Sequence, residues 1–250
     1  GGYIRREHDY SRATFTNHVN PRPESETRHI ADAFARVMSL LGSLSEKSKK
    51  HIFNEEYESQ LGALVEGFGG SISKKSSLNV GSMHFNSRFN NLTRQFLVAT
   101  ENKHVIDIAL ESVKQNKKPF ITLNNTGNSF LKRYHEKMVG LAERKANGEE
   151  LSDFFSKKIP VLKDGEWVYA TRPSFKDVIA LTLEEALYVS FDKKGNSKSK
   201  VSVELTKLVP NKHVAQEIEE LTKYIHTAIE AFPDIDYAPI DSLKGALQAK

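Results

Sequence analysis

No cysteine occurs anywhere in the 250 residues. Disulfide staples, cysteine zinc sites and thiol nucleophiles are thereby excluded. No apolar run is long enough to span a bilayer, and the first residues lack the apolar core of a secretory signal. The expectation is a chain without a membrane partner, working in the cytoplasm. It begins Gly1-Gly2-Tyr3 with no Met, and the expectation is either a tag scar or an excised piece of something longer. A phosphate-cradling P-loop needs G-x-x-x-x-G-K-[ST] after a strand, and none is present. The stretch "GFGGSISKKSS" has glycines and lysines, but in the wrong order and with no strand before it. No carboxylate cluster for Mg²⁺ stands at a strand end, so this chain alone is expected to be inactive as an ATPase. Nine histidines are present, none at H-x-x-x-H or H-E-x-x-H spacing. A G-x-S-x-G nucleophile elbow is missing too. The acidic pairs Glu55/Glu56, Glu149/Glu150 and Glu184/Glu185 read as solvated helix faces.

Charge is plentiful and nearly balanced. Lys+Arg total 36 and Asp+Glu 32, a net +4 too small to demand a polyanionic partner. Its distribution is more telling. Between 114 and 145 lie Lys114, Lys117, Lys118, Lys132, Arg133, Lys137, Arg144 and Lys145, opposed only by Glu136 and Glu143. Such a local excess gains affinity for a polyanion by counterion release, or it is ordinary solubilising surface. Lys193, Lys194, Lys198 and Lys200 load one hairpin, and Arg5, Arg6 and Arg12 load the N-terminal stretch.

Hydrophobic periodicity divides the chain into three parts. Residues 1–27 read as an extended, Pro-punctuated connector. Residues 28–116 form a helical region. Its first helix runs from Arg28 to Leu41, with Gly42 as a stop and Ser45 as cap of the next helix. The stretch 67–82, rich in Gly and Ser and carrying Lys74 and Lys75, reads as a long loop. Apolar spacing then predicts one helix to about Thr100 and another through Val105 to Val113. Residues 117–250 mix strands and helices. Phe120–Leu123 predicts a strand and Ser129–Arg144 a helix. "KIPVLKDGEWVYA" predicts a hairpin turning at Asp164-Gly165. Ser174 caps a further helix. "YVSFDKKGNSKSKVSVEL" predicts a second hairpin with a Gly195-Asn196 turn, and His213–Ala231 a long amphipathic helix. The fold class is α/β, helix-rich, with a small sheet and strands only after about residue 118.

The sequence "KKPFITLNNTGNSFLKRY", Lys117 to Tyr134, raises the functional question. A polar loop that leaves a buried strand and feeds a helix presents backbone N–H groups at a positive dipole end. Asn124, Asn125, Thr126, Asn128 and Ser129 add donors there, and Lys132 and Arg133 follow one turn later. The loop either holds a phosphate of a nucleic-acid backbone or merely caps its helix.

Three stretches together resemble the strawberry-notch-type superfamily 2 helicases: "GYIRRE", "KKPFITLNNTGNSFL" and "FPDIDYAPIDSL". Asn125, Thr126 and Ser129 match that family's N-T-x-x-S pattern, although Asn124 and Gly127-Asn128 depart from the usual neighbours. The segment from Ser82 to Leu110 is similar to the family's helical region. The resemblance implies a position between two RecA-like lobes: the exit of the first lobe, a helical insertion, and the opening of the second lobe. It implies further that the ATP and Mg²⁺ sites belong to helicase parts outside this chain, which binds no cofactor alone. The partners implied are those remaining helicase domains and nucleic acid, DNA ahead of RNA. On this resemblance the loop with Lys132 and Arg133 would be the main contact, and Lys74, Lys75 and Lys194 would be secondary ones. If the source is a phage, the compartment is the bacterial host cytoplasm. The alternative is a non-catalytic helical protein-interaction module of a phage or plasmid protein.

Overall fold

A computed structural model describes residues 23–72, 77–118, 128–148, 158–169 and 173–235. The chain is a helix-rich α/β fold with a small antiparallel sheet. The helices are α1 (Glu24–His51), α2 (Glu58–Gly67), α3 (Ser77–Lys114), α4 (Asn128–Ala146), α5 (Phe175–Ala186) and α6 (Lys212–Glu230). The strands are β1 (Gly70–Ser71), β2 (Val161–Lys163), β3 (Glu166–Val168), β4 (Tyr188–Lys193) and β5 (Asn196–Glu204).

Helix α1 carries Glu24 and Glu26 in its first turn and Lys49, Lys50 and His51 in its last, the polarity the macrodipole favours. Its buried face runs through Ile30, Phe34, Val37, Leu41 and Leu44. That face continues past Gly42, which therefore does not stop the helix. One internal glycine costs about 1 kcal/mol, less than the burial of Leu44 and the turns that follow returns. Ser45 is accordingly not a cap but a buried interior residue of α1. Ile52, Phe53 and Tyr57 are buried in the connection before α2.

Two further sequence expectations change in the same direction. The long loop at 67–82 is shorter than expected, because β1 and the start of α3 fall inside it, and β1 also precedes residue 118. The two helices expected around Thr100 are one, α3. Thr100 Oγ1 donates to Phe96 O and Leu97 O at 3.1 Å each, so its hydroxyl is satisfied without breaking the helix. Helix α3 ends in a Schellman arrangement. Asn116 adopts a left-handed φ of 56°, Lys117 N–H donates to Ser112 O at 2.9 Å, and Asn116 N–H donates to Val113 O at 2.9 Å.

The core is stapled by aromatic rings from separate elements. Phe34 of α1 stacks on Phe96 of α3 with centroids 3.9 Å apart. Phe175, the first residue of α5, tilts against both rings, and Phe232 beyond α6 packs on Phe175 at 5.7 Å. Such pairs add about 0.5–1.5 kcal/mol each beyond area burial. One contiguous core thus draws on both the helical and the mixed stretches.

The sheet has the order β1-β4-β5, and every strand pair among the described residues is antiparallel. Val189 and Phe191 of β4 and Val203 of β5 face the core. The β4–β5 turn is Lys194-Gly195, one residue earlier than expected, since Asn196 already pairs with Lys193. The β2–β3 hairpin turns at Asp164-Gly165 with φ of 51° and 84°, as a type I′ turn requires. The strand expected at Phe120–Leu123 lies outside the described residues. No helix among the described residues is long and apolar enough to cross a membrane.

Candidate nucleic-acid interface

Helix α5 starts at Ser174, whose N–H donates to Asp177 Oδ2 at 2.7 Å in capping-box fashion. That start fixes the phase of the whole helix. Glu184 and Glu185 consequently fall in its last turn, facing α4. A carboxylate is disfavoured at that end of a helix by the dipole, and both find cations. Arg133 and Lys137, one turn apart on α4, share a face. Arg133 Nη1 donates to Glu185 Oε1 at 2.6 Å and Oε2 at 2.9 Å, and Lys137 Nζ lies 3.6 Å from Glu184. The Glu184/Glu185 pair is therefore not a solvated face: its side chains are only 18% and 28% exposed.

A third helix completes the site. On α3, His84, Arg88, Asn91 and Gln95 recur at helical spacing and form a polar stripe beside the apolar one. His84 and Gln95 are buried. His84 Nε2–H donates to Ala186 O at 2.9 Å, and its Nδ1 accepts from Arg88 Nη1 at 2.9 Å. Arg88 Nη1 also donates to His84 O at 2.6 Å. This tautomer follows from the partners: one ring nitrogen faces an acceptor and the other a donor. Burial is the main cause lowering the imidazole pKa to about 4, the Arg88 charge adds to it, and the bond to Ala186 opposes it. His84 is thus neutral at pH 7 with both nitrogens engaged. It serves as a fixed mount for Arg88 rather than as an acid or base.

Ser87, Arg88, Asn91, Arg133, Thr182 and Glu185 line a cleft of ≈ 390 Å³ between α3, α4 and α5. Two guanidiniums and one carboxylate give it a net positive charge. Burial lowers the Arg88 pKa, Glu185 opposes that effect, and Arg133 reinforces it. The Arg88 Nε–H is buried and meets no acceptor among the described residues. Thr182 Oγ1 donates within its own helix, to Val178 O at 2.8 Å. A wall of guanidinium, amide and hydroxyl groups suits an anion with several oxygens. It does not suit a metal, and no group of acidic and histidine side chains able to hold one occurs among the described residues.

Of the residues expected from the sequence, Arg133 lines this cleft. Lys132 is its exposed neighbour, 4.0 Å from Glu136. Asn128 and Ser129 form the first turn of α4. Lys194 belongs elsewhere, at the β4–β5 turn, where its Nζ lies 3.5 Å from Glu66 and its N–H donates to Gly69 O. Asn124, Asn125, Thr126, Lys74 and Lys75 lie outside the described residues. Sequence reasoning missed Arg88, Asn91 and the role of Glu185. The signal that marks them is the His84-Arg88-Asn91-Gln95 stripe, since four polar residues on one line of a helix rarely all face water beside so large an apolar stripe. Compared with protein families, with curated proteins and with solved structures, the chain finds no match.

Proposed function

We propose that this chain is the nucleic-acid-contacting part of a superfamily 2 helicase of strawberry-notch type, gripping the phosphate backbone without an ATP site of its own. One observation carries the reading. Arg133, on α4, enters a positively charged cleft that it shares with Arg88. Guanidiniums paired in this way recognise phosphate oxygens by charge-assisted hydrogen bonds and carry no base information. Binding would be sequence-independent, with DNA the first candidate. ATP and Mg²⁺ would be held by the remaining helicase domains, in the cytoplasm. The RecA-like character of the second part belongs to the same proposal and rests on the sequence resemblance.

A second reading, docking onto a protein, draws on the β2–β3 hairpin, where Val161, Leu162 and Val168 are 60%, 56% and 44% exposed. Salt separates the two readings. The experiment is binding of labelled single- and double-stranded oligonucleotides across a salt series, for the parent chain, for Arg133→Ala and for Asn125→Ala/Thr126→Ala/Ser129→Ala. Phosphate contacts make affinity fall steeply as salt rises, and loss of Arg133 lowers the slope of log K against log salt by about 0.7–0.9. If the parent does not bind at low salt, the nucleic-acid reading is wrong and the weight moves to the hairpin.

A further inference from the structure

We infer that Glu185 is a built-in competitor for phosphate: its carboxylate holds Arg133 when the cleft is unliganded and gives up that place to a phosphate group. The geometry is that of a stand-in. Both carboxylate oxygens, at 2.6 and 2.9 Å, sit on the single nitrogen Nη1, as two oxygens of one phosphate would. The pair is reachable by a solvent-borne anion, since the Arg133 and Glu185 side chains are 41% and 28% exposed.

Three features make the exchange favourable in one direction. Glu185 lies in the last turn of α5, so the helix dipole opposes its charge, which its ion pair with Arg133 offsets. A phosphate brings more charge and more acceptor oxygens than a carboxylate, and charge-assisted bonds to it are correspondingly strong. The second guanidinium is already in position: Arg88 is bound from behind through Nη1 to both the carbonyl and the ring of His84. Arg88 therefore does not need to move when the ligand arrives. With Glu185 on Arg133 the three charged groups sum to +1. With phosphate in its place the same two cations face an anion that matches them.

The inference rests on the nucleic-acid reading for the source of the phosphate but not for the exchange itself. It assigns Glu185 as a positioning and regulating group rather than a contact for the ligand. If Glu185 were only a buttress for Arg133, removing its charge would loosen the arginine and weaken binding. If it competes, removing its charge tightens binding.

The test compares the parent chain with Glu185→Gln on three probes at fixed low salt: inorganic phosphate, a 5′-phosphorylated single strand and its 5′-hydroxyl twin. Glu185→Gln is expected to bind roughly three- to tenfold tighter, the scale of removing a half-exposed ion pair together with a repulsive charge. The gain should vanish when Arg133→Ala is added. Glu184→Gln removes an equal charge one residue away and should give a clearly smaller gain. Glu185→Asp, which withdraws the carboxylate by one methylene, must shift affinity in the same direction as Glu185→Gln and covers the case in which the glutamine variant folds poorly. A gain on both strands assigns the site to internal phosphodiesters, and a gain on the 5′-phosphorylated strand alone assigns it to a chain end. Equal gains for Glu184→Gln and Glu185→Gln, or no gain for Glu185→Gln, overturn the exchange. Arg133-dependent strand binding without that gain leaves the nucleic-acid reading standing alone. A gain on inorganic phosphate with no strand binding leaves the exchange standing and removes the nucleic-acid reading.

Discussion

Acid should unfold this chain through His84 before its carboxylates finish the task. The imidazole is buried, and its pKa in the fold is lowered from 6.5 to about 4. In the unfolded chain it returns to near 6.5, so the unfolded state takes up the proton first and stability falls as pH drops. The loss begins as pH passes below the unfolded value and is complete below the folded one. Fully expressed, it is on the order of 3 kcal/mol. Between about pH 7.5 and about pH 5 the same relation gives roughly 2 kcal/mol. The perturbation is His84→Gln, whose amide nitrogen can donate to Ala186 O and whose oxygen can accept from Arg88, without a titration. The assay is urea unfolding of both proteins at the two pH values. The carboxylate background is common to both, so the difference between the two pH-dependent losses isolates the imidazole. The parent should lose about 2 kcal/mol more than the variant over that window. Equal losses in the two proteins would refute the reasoning and mean that His84 gains its proton without leaving the fold.

Other outcomes follow from the packing. Gly81→Ala builds a Cβ 2.7 Å from the Phe53 ring, and Phe53 is fully buried; overpacking of that kind costs about 1–3 kcal/mol, read as a lower unfolding midpoint. Asp177→Ala removes the acceptor of Ser174 N–H and the carboxylate that lies 2.5 Å from Lys158. The expected cost is about 2–3 kcal/mol in the same assay, since Lys158 is partly exposed and rehydrates. Lys132→Ala should weaken all oligonucleotides alike and lower the salt slope by about one contact, with stability unchanged, because its pair with Glu136 is long and exposed.

The sequence made the helix faces and turns legible because each depends on neighbours in the chain. Ile30, Phe34, Val37 and Leu41 announce one face of α1, Ser174 with Asp177 announces the start of α5, and Asp164-Gly165 announces a hairpin. Breaks in the helices are fewer than the local signals imply, for a related reason. Gly42 and Thr100 are local signals, and each is outweighed by a buried face that continues beyond it. The cleft was not legible, because Arg88, Arg133 and Glu185 come from three helices far apart in the chain. Each alone reads as surface charge, and in sequence Glu185 pairs with Glu184 as a solvated face would. What joins them is packing between elements distant in sequence: the rings of Phe96 and Phe175 bring α3 to α5, and Arg133–Glu185, Lys137–Glu184 and Tyr134–Asp177 bring α4 to α5.

The β2–β3 hairpin has three paired positions and no third strand among the described residues, a size that is marginal on its own in water. Its strands are largely exposed, and among the described residues it is held at its roots. Lys158 is tied to Asp177, while Tyr169 packs against Tyr134 and bonds to the His135 ring at 2.6 Å. The hairpin is thus a paddle on two pins, one of which is the carboxylate that begins α5. Its amide protons should exchange with solvent through openings that leave the aromatic core closed. Force applied to its tip is carried to both pins, and one of them, Asp177, begins the helix whose far end holds Glu185.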